Sequence, residues 1–309
     1  MDQNPRNPTP RTSLPSRNEF DEEGYLQLYP DIANGVSLGT IESGWQHFAK
    51  AGFAEGRSWL SKPDPLIGVN RKISPNDEMF IGNEIHYFDV GESALHVIET
   101  ALFAARRQKS TIKKILDLPC GHGRVMRFLQ KAFPEAQLTA CDLNQNGVEF
   151  CATTFGALPV VSCEDVDAIP LQGEFDLIWC GSLLTHLSEE KCAAFLRLFQ
   201  RLLGHCGILV FTTHGKHYER ELASGKNPHG INDQQIAELL SGYRQRGFSY
   251  VDYSAESAYG FSLVHPSFVA AHLVDHPGWR LLGYQETGWD KRQDVICLQK
   301  RFFRPEAKK

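Results

Sequence analysis

Residues 115–129 read ILDLPCGHGRVMRFL. A short apolar run closes on Asp117, a turn over 119–123 carries two glycines, and apolar residues then recur at helical spacing, so the stretch reads as a strand, a glycine turn and a helix. Gly121 and Gly123 allow the backbone to approach a ligand closely. The helix start turns N–H groups toward it, and Asp117 brings a carboxylate to the same place. A dinucleotide fingerprint G-x-G-x-x-G needs a third glycine where Met126 stands, because there the helix packs against the strand beside a pyrophosphate. The cradle is therefore built for a small ligand of another kind.

The order Asp117-Leu-Pro119-Cys-Gly121-His-Gly123 resembles the first motif of the class I S-adenosylmethionine (SAM) dependent methyltransferases, usually D/E-x-G-x-G-x-G. Pro119 replaces the first glycine, which stiffens the turn and removes one N–H donor. Downstream, QLTACD (137–142) reads as a strand closing on Asp142 about twenty residues past the turn, where a carboxylate can accept from both ribose hydroxyls. Leu143 is then expected against the adenine face. In CEDVDAIPL, counting back five from Pro170 puts Asp165 where the third motif has an acid that accepts from the adenine amino group, with Val166 offering its backbone N–H. FDLIWC (175–180) followed by GSLLTHLSEE resembles the fourth motif, which implies that Cys180, Gly181 and Ser182 lie near the methyl donor and His186 at its rim. HYFDVGESAL resembles a Y-x-x-x-G-x-x-A segment placed over the methionine end, which carries Tyr87 and Gly91 over as cofactor neighbours. The cofactor so implied is S-adenosyl-L-methionine, released as S-adenosyl-L-homocysteine.

Strands and helices alternate through residue 213, which calls for a parallel sheet with helices on both faces. Two final strands, 279–287 and 294–301, are joined by a connection too short for a crossover helix and must pair antiparallel. The expected fold is α/β: a Rossmann-like, seven-stranded methyltransferase sheet of five parallel strands plus a C-terminal antiparallel hairpin, with helices on both faces. The resemblance spans about 80–304. An insertion over 214–277 is expected to form the acceptor lid, since ligands bind beyond strand C-termini in such sheets.

Residues 1–19 are rich in Pro, Asn, Ser and Arg and read as a disordered tail. Residues 20–62 carry aromatic and aliphatic residues at helical intervals between glycine stops, a small helical module. Their order, YPDIA…G…H…G…EGR, resembles a module attached to bacterial enzymes of polysaccharide assembly. That likeness implies a sugar-linked or other small-molecule acceptor methylated on oxygen, and association with glycan-assembly enzymes through 20–62. A plain helical cap is the alternative. Residues 63–79, with Pro, Asn and Asp, read as a linker.

The net charge of −5 gives no global argument for nucleic acid, and none is expected as a partner. No apolar run approaches the ~18 residues that span a bilayer, and no leader is visible, so a cytoplasmic protein is expected. The eight cysteines form no C-x-x-C pair and no metal spacing, so no metal is expected. The sulfonium of SAM activates the methyl carbon by itself, which leaves the chain to supply alignment, desolvation and, for a hydroxyl acceptor, removal of a proton. Histidine suits that last step. His214 and His217 after the fifth strand, then His186, then His122 in the first loop, are the candidate catalytic bases. RNA or protein methylation and a non-catalytic SAM-fold scaffold remain open as alternatives.

Overall fold

The computed structural model describes residues 14–59, 66–226, 230–254, 259–273 and 276–301. The chain divides into two compact units, Met1–Ile67 and Gly68–Lys309.

In the first unit, α1 (Glu22–Leu28), α2 (Pro30–Ser37), α3 (Gly44–His47) and a π-helical turn (Phe48–Gly52) enclose Phe20, Tyr25, Ile32, Phe48 and Trp59. Asp21 caps α1 by accepting from Gly24 N, and Ser43 caps α3 by accepting from Gln46 N. The residues that carry the sequence pattern are consumed internally. The Tyr25 hydroxyl lies 3.0 Å from His47 Nδ1, Asp31 pairs with Arg57 at 3.2 Å, and the Tyr29 hydroxyl accepts from Ser58 N at 2.7 Å. A Cβ on Gly52 would stand 2.5 Å from the Tyr25 hydroxyl, so the glycine is required for packing. Of the expected tail, residues 1–13 lie outside the described residues, and 16–19 form a turn in which Ser16 N donates to Glu19. The end of the expected module and the start of the expected linker, 60–65, also lie outside them.

The second unit contains nine strands among the described residues: β1 (Lys114–Asp117), β2 (Gln137–Asp142), β3 (Leu158–Val161), β4 (Phe175–Cys180), β5 (Leu203–Thr213), β6 (Phe248–Asp252), β7 (Gly260–Val264), β8 (Trp279–Trp289) and β9 (Gln293–Lys300). Seven of them form one sheet of order β3-β2-β1-β4-β5-β9-β8. The first five run parallel, and β9 pairs antiparallel with both β5 and β8. This is the expected sheet with its hairpin.

Alternation along the strands divides the interior into two cores. Ile115, Leu177, Trp179, Ile208, Val210 and Val295 face α4 (Glu84–Ala104), α5 (Met126–Ala132) and α6 (Gln145–Phe155). Leu116, Ile178, Cys180, Leu209, Phe211 and Ile296 face α7 (Glu189–Leu202) and α10 (Pro266–Leu273). Asn83, Asn144 and Ser188 cap α4, α6 and α7, each accepting a backbone N–H three residues on.

Several bounds and one element depart from the sequence reading. β5 begins at Leu203 rather than 207, because Leu203 pairs with Phe175 ahead of a bulge. Residues 68–79 are not a linker: the Asn70 and Lys72 carbonyls and the Asp77 side chain are bound into the sheet-bearing unit by Arg127 and Tyr87. The insertion contains a further helix, α8 (Lys216–Ala223), beside α9 (Asp233–Arg246) and the two-stranded sheet of β6 and β7. These enclose their own core around Tyr218, Leu239, Phe261 and Leu263.

Candidate active site

The β1 strand delivers Asp117 to the glycine turn with the residue 2% exposed and Oδ2 without a hydrogen-bond partner among the described residues. Burial, and then the charge of Asp142, push its pKa well above the usual carboxylate range. Gly121 (φ +48°) turns the chain, and its N–H donates to Asp142 Oδ2 at 2.8 Å. A Cβ at Gly121 would meet nothing within 4 Å, so this stretch of loop faces open space. Gly123 (φ +78°) serves packing instead, since a Cβ there would lie 2.2 Å from the Phe155 ring. Gly147 likewise lets α6 close on the turn, because a Cβ would stand 2.4 Å from the Gly121 carbonyl.

A cleft of about 590 Å³ opens beside this turn at the C-terminal edge of the sheet. Leu118, Pro119, Asp142 and Leu143 form one wall, Ser162, Cys163 and Glu164 a second, and Ser182, Leu183, Leu187, Lys191, Phe195 and Tyr259 the rest. Leu143 is 61% exposed there, apolar surface that a flat ligand ring would cover. Asp142 Oδ1 accepts from Asn144 N at 2.9 Å, so each carboxylate oxygen is oriented by one backbone N–H and keeps a second lone pair for a ligand.

Several candidates sit behind the cleft wall. Tyr87 is 1% exposed; its hydroxyl donates to Asp77 at 2.6 Å and accepts from Arg127 Nη2 at 3.2 Å, so it braces the turn and does not line the cleft. Gly91 is a packing glycine, where a Cβ would stand 2.4 Å from the Arg124 carbonyl. Asp165 accepts from Asp167 N at 3.0 Å as the cap of a 3₁₀ turn, Val166 is buried, and Glu164 takes the place on the cleft expected of Asp165. Cys180 and Gly181 are buried behind Ser182: a Cβ on Gly181 would lie 2.8 Å from the Trp179 ring, and burial raises the Cys180 thiol pKa. Ser182 is fixed by Thr212 and Gln293, its N–H donating to Thr212 Oγ1 at 2.8 Å.

Arg127 supports the turn from behind. It is fully buried, donates from Nε to the Gly123 carbonyl at 3.0 Å and from Nη1 to the Asn70 and Lys72 carbonyls at 2.8 and 3.0 Å, and lies over the Tyr87, Phe88 and Phe155 rings. Nothing in the sequence distinguishes it from a solvated arginine on the polar face of α5.

Two of the candidate histidines meet: the His186 and His214 rings are edge to face with centroids 5.7 Å apart. His214 is 1% exposed and packed against Tyr218 and Phe261 with ring centroids at 4.0 and 4.4 Å, and neither it nor His186 is itself part of the cleft lining. His217 sits on α8 facing Glu221 at 3.4 Å. His186 stacks on Tyr259, a cleft residue, at 4.7 Å. Its Nδ1 lies 2.9 Å from the Gly260 carbonyl and 3.0 Å from the Tyr253 hydroxyl. A carbonyl only accepts, so Nδ1 carries the proton and the lone pair of the neutral ring falls on Nε2. Burial lowers the His186 pKa, partly offset by that carbonyl. Among the described residues no group of three or more His, Cys, Asp or Glu is placed to hold a metal, and all eight cysteines are free.

Residues 115–207 match the family described as Methyltransferase domain. The match runs from β1 to the start of β5, within the seven-stranded sheet of five parallel strands and an antiparallel hairpin. The chain is similar to malonyl-[acyl-carrier protein] O-methyltransferases: 29% identical to that of Bacillus anthracis over 140 residues, 44% of this chain and 50% of the relative, and 32% identical to that of Legionella pneumophila over 114 residues, 36% and 39%. It thus spans about half the length of these curated relatives or less. Among solved structures it is similar to a SAM-dependent methyltransferase from Clostridium acetobutylicum, at 15% identity and TM-score 0.46 over 71% of this chain and 93% of the other. Magnesium protoporphyrin IX methyltransferase from Synechocystis is similar at 14% identity and TM-score 0.45, covering 83% and 97%.

SAM is the ligand that the resemblance of the glycine turn implies, and the residues present fit it. Asp142 offers acceptors for paired hydroxyls, Leu143 an apolar face, Gly121 a bare stretch of backbone, and Asp117 a buried carboxylate oxygen without a partner among the described residues, which a cationic ligand bearing an ammonium and a sulfonium would stabilise. No described helix is long and apolar enough to cross a membrane.

Proposed function

We propose that this protein transfers a methyl group from SAM to an oxygen of a small-molecule acceptor, with a hydroxyl as the reacting group and His186 as the base. The observation that carries the reading is the conjunction, on one edge of the sheet, of the Asp117–Gly121–Asp142 cradle with an open cleft faced by Tyr259 and backed by His186. Bound SAM would supply an electrophilic methyl carbon. Asp142 holds the ribose side, Asp117 lowers the cost of a cationic ligand, and Tyr259 with Phe195 and Leu187 excludes water from the reacting edge. His186 is oriented by Gly260 and Tyr253 and, being neutral at pH 7, receives the acceptor's proton at Nε2. His214, the first candidate by position, is assigned to packing beneath this group.

A carboxylate acceptor is the second reading, favoured by Lys191 on the cleft wall and by relatives named for O-methylation of a malonyl group, which offers a carboxylate oxygen. It needs no base. The sugar acceptor and any association with glycan assembly rest on the resemblance of 20–62 alone and gain no support from these relatives. Mass-spectrometric detection of transferred methyl in an acceptor screen containing sugars, phenols and malonyl thioesters tests the proposal. Transfer to a hydroxyl that His186→Phe abolishes supports it; turnover only on carboxylates, indifferent to His186→Phe, overturns the hydroxyl reading.

A further inference from the structure

The insertion builds a second concave site, of about 520 Å³, beyond the C-terminal end of β5. Lys216 and Arg220 on α8 and Arg244 and Arg246 at the end of α9 line it together with Tyr243, and Glu219 is the one acidic residue in the wall. The wall thus carries four cations and one carboxylate, with the Glu286 carboxylate adjoining it through Lys216. Two of the cations are engaged: Lys216 pairs with Glu286 at 2.6 Å and Arg244 with Glu219 at 2.7 Å. The Arg220 and Arg246 side chains are exposed and have neither an ion pair nor a hydrogen bond among the described residues.

Helix dipoles account for a basic residue at the end of each helix, but each end carries only about half a negative charge. Two unpaired guanidiniums therefore leave the cleft net positive. The wall also includes the Tyr243 phenol, 4% exposed and without a hydrogen-bond partner among the described residues, a donor in want of an acceptor. Donors arriving from two helices and a phenol suit a tetrahedral oxyanion, whereas a carboxylate is met by one guanidinium in a planar fork.

We propose that this cleft is a binding site for a phosphate monoester, distinct from the cofactor cleft. It anchors a phosphorylated ligand through Arg220 and Arg246, and the inference does not depend on the methyl-transfer reading. The test is calorimetric titration of inorganic phosphate, at an ionic strength fixed with sodium chloride, into the full-length protein and into Arg220→Gln, Arg246→Gln and Tyr243→Phe. Malonate serves as the carboxylate comparison and SAM as a separate titration.

Saturable phosphate binding is expected, weakened about tenfold by either arginine change, as for loss of one charge-assisted hydrogen-bonding partner. Tyr243→Phe weakens it by less, malonate binds more weakly, and SAM affinity is unchanged. Both arginines are on the surface, so these variants keep the fold, checked by circular dichroism. No saturable binding by the wild type, equal binding by all three variants, or malonate binding as tightly as phosphate overturns the proposal.

Discussion

Asp117 and Asp142 lie close enough to repel, yet their surroundings assign them different work. Asp142 is oriented by two backbone N–H groups, whereas Asp117 is buried with one oxygen unpartnered among the described residues. The folded pKa of Asp117 lies above its unfolded value of 3.8. Its contribution to stability is therefore present below that unfolded value and is lost as pH rises through the raised folded one. Asp117→Asn should raise the neutral-pH melting temperature of the cofactor-free protein, by roughly 2–4 °C for each kcal/mol recovered, while weakening SAM binding; differential scanning calorimetry with and without SAM checks both. For His186 the folded pKa is lowered. With a hydroxyl acceptor, kcat/KM should be flat above about pH 6.5 and fall at acid pH as Nε2 is protonated. A pH–rate profile with no acid limb would remove His186 as the base. The glycines and both acids are legible in the sequence because their chemistry is local. The placement of Tyr87 and Asp165 is not: one is claimed by a buried ion network and the other by a turn, and neither competitor leaves a mark in spacing.

Between elements, Arg127 joins α5, the glycine turn, α4 and the 68–79 segment through four hydrogen bonds and three ring contacts. Composition marks 63–79 as a linker because Pro, Asn and Asp favour turns, but a turn-rich segment whose carbonyls meet a buried guanidinium becomes part of the wall. Arg127→Met removes donors from the Gly123, Asn70 and Lys72 carbonyls at once. It should cost about 1–3 kcal/mol for each buried carbonyl left unsatisfied, read as a shift in urea midpoint, and expose 68–79 to protease before the sheet unfolds. Unchanged stability would mean that the carbonyls find other donors. Gly123→Ala places a methyl against Phe155 in a left-handed backbone. It should separate α6 from the turn and weaken SAM binding, whereas Gly121→Ala, with open space around its Cβ position, should cost folding less and act on the ligand.

For the whole molecule, alternation of strands and helices and the short final connection are enough to predict the seven-stranded sheet, since parallel pairs need crossovers and hairpins do not. The 214–277 insertion is legible only in part: the apolar patterns of α9, β6 and β7 are visible, but α8, polar on most faces, is not. Each unit encloses its own core, so a chain beginning at residue 68 should keep the SAM affinity of the full protein; a large loss would assign residues 1–67 a part in the site. The proposed function centres on the cradle at the ends of β1 and β2, and calorimetric titration of SAM into the wild type and Asp142→Ala tests it most directly. Micromolar binding that the substitution weakens by about 1–3 kcal/mol, the cost of a lost buried hydrogen-bond partner, is the predicted result. Absence of SAM binding by the folded wild type, or equal binding by Asp142→Ala, would contradict it.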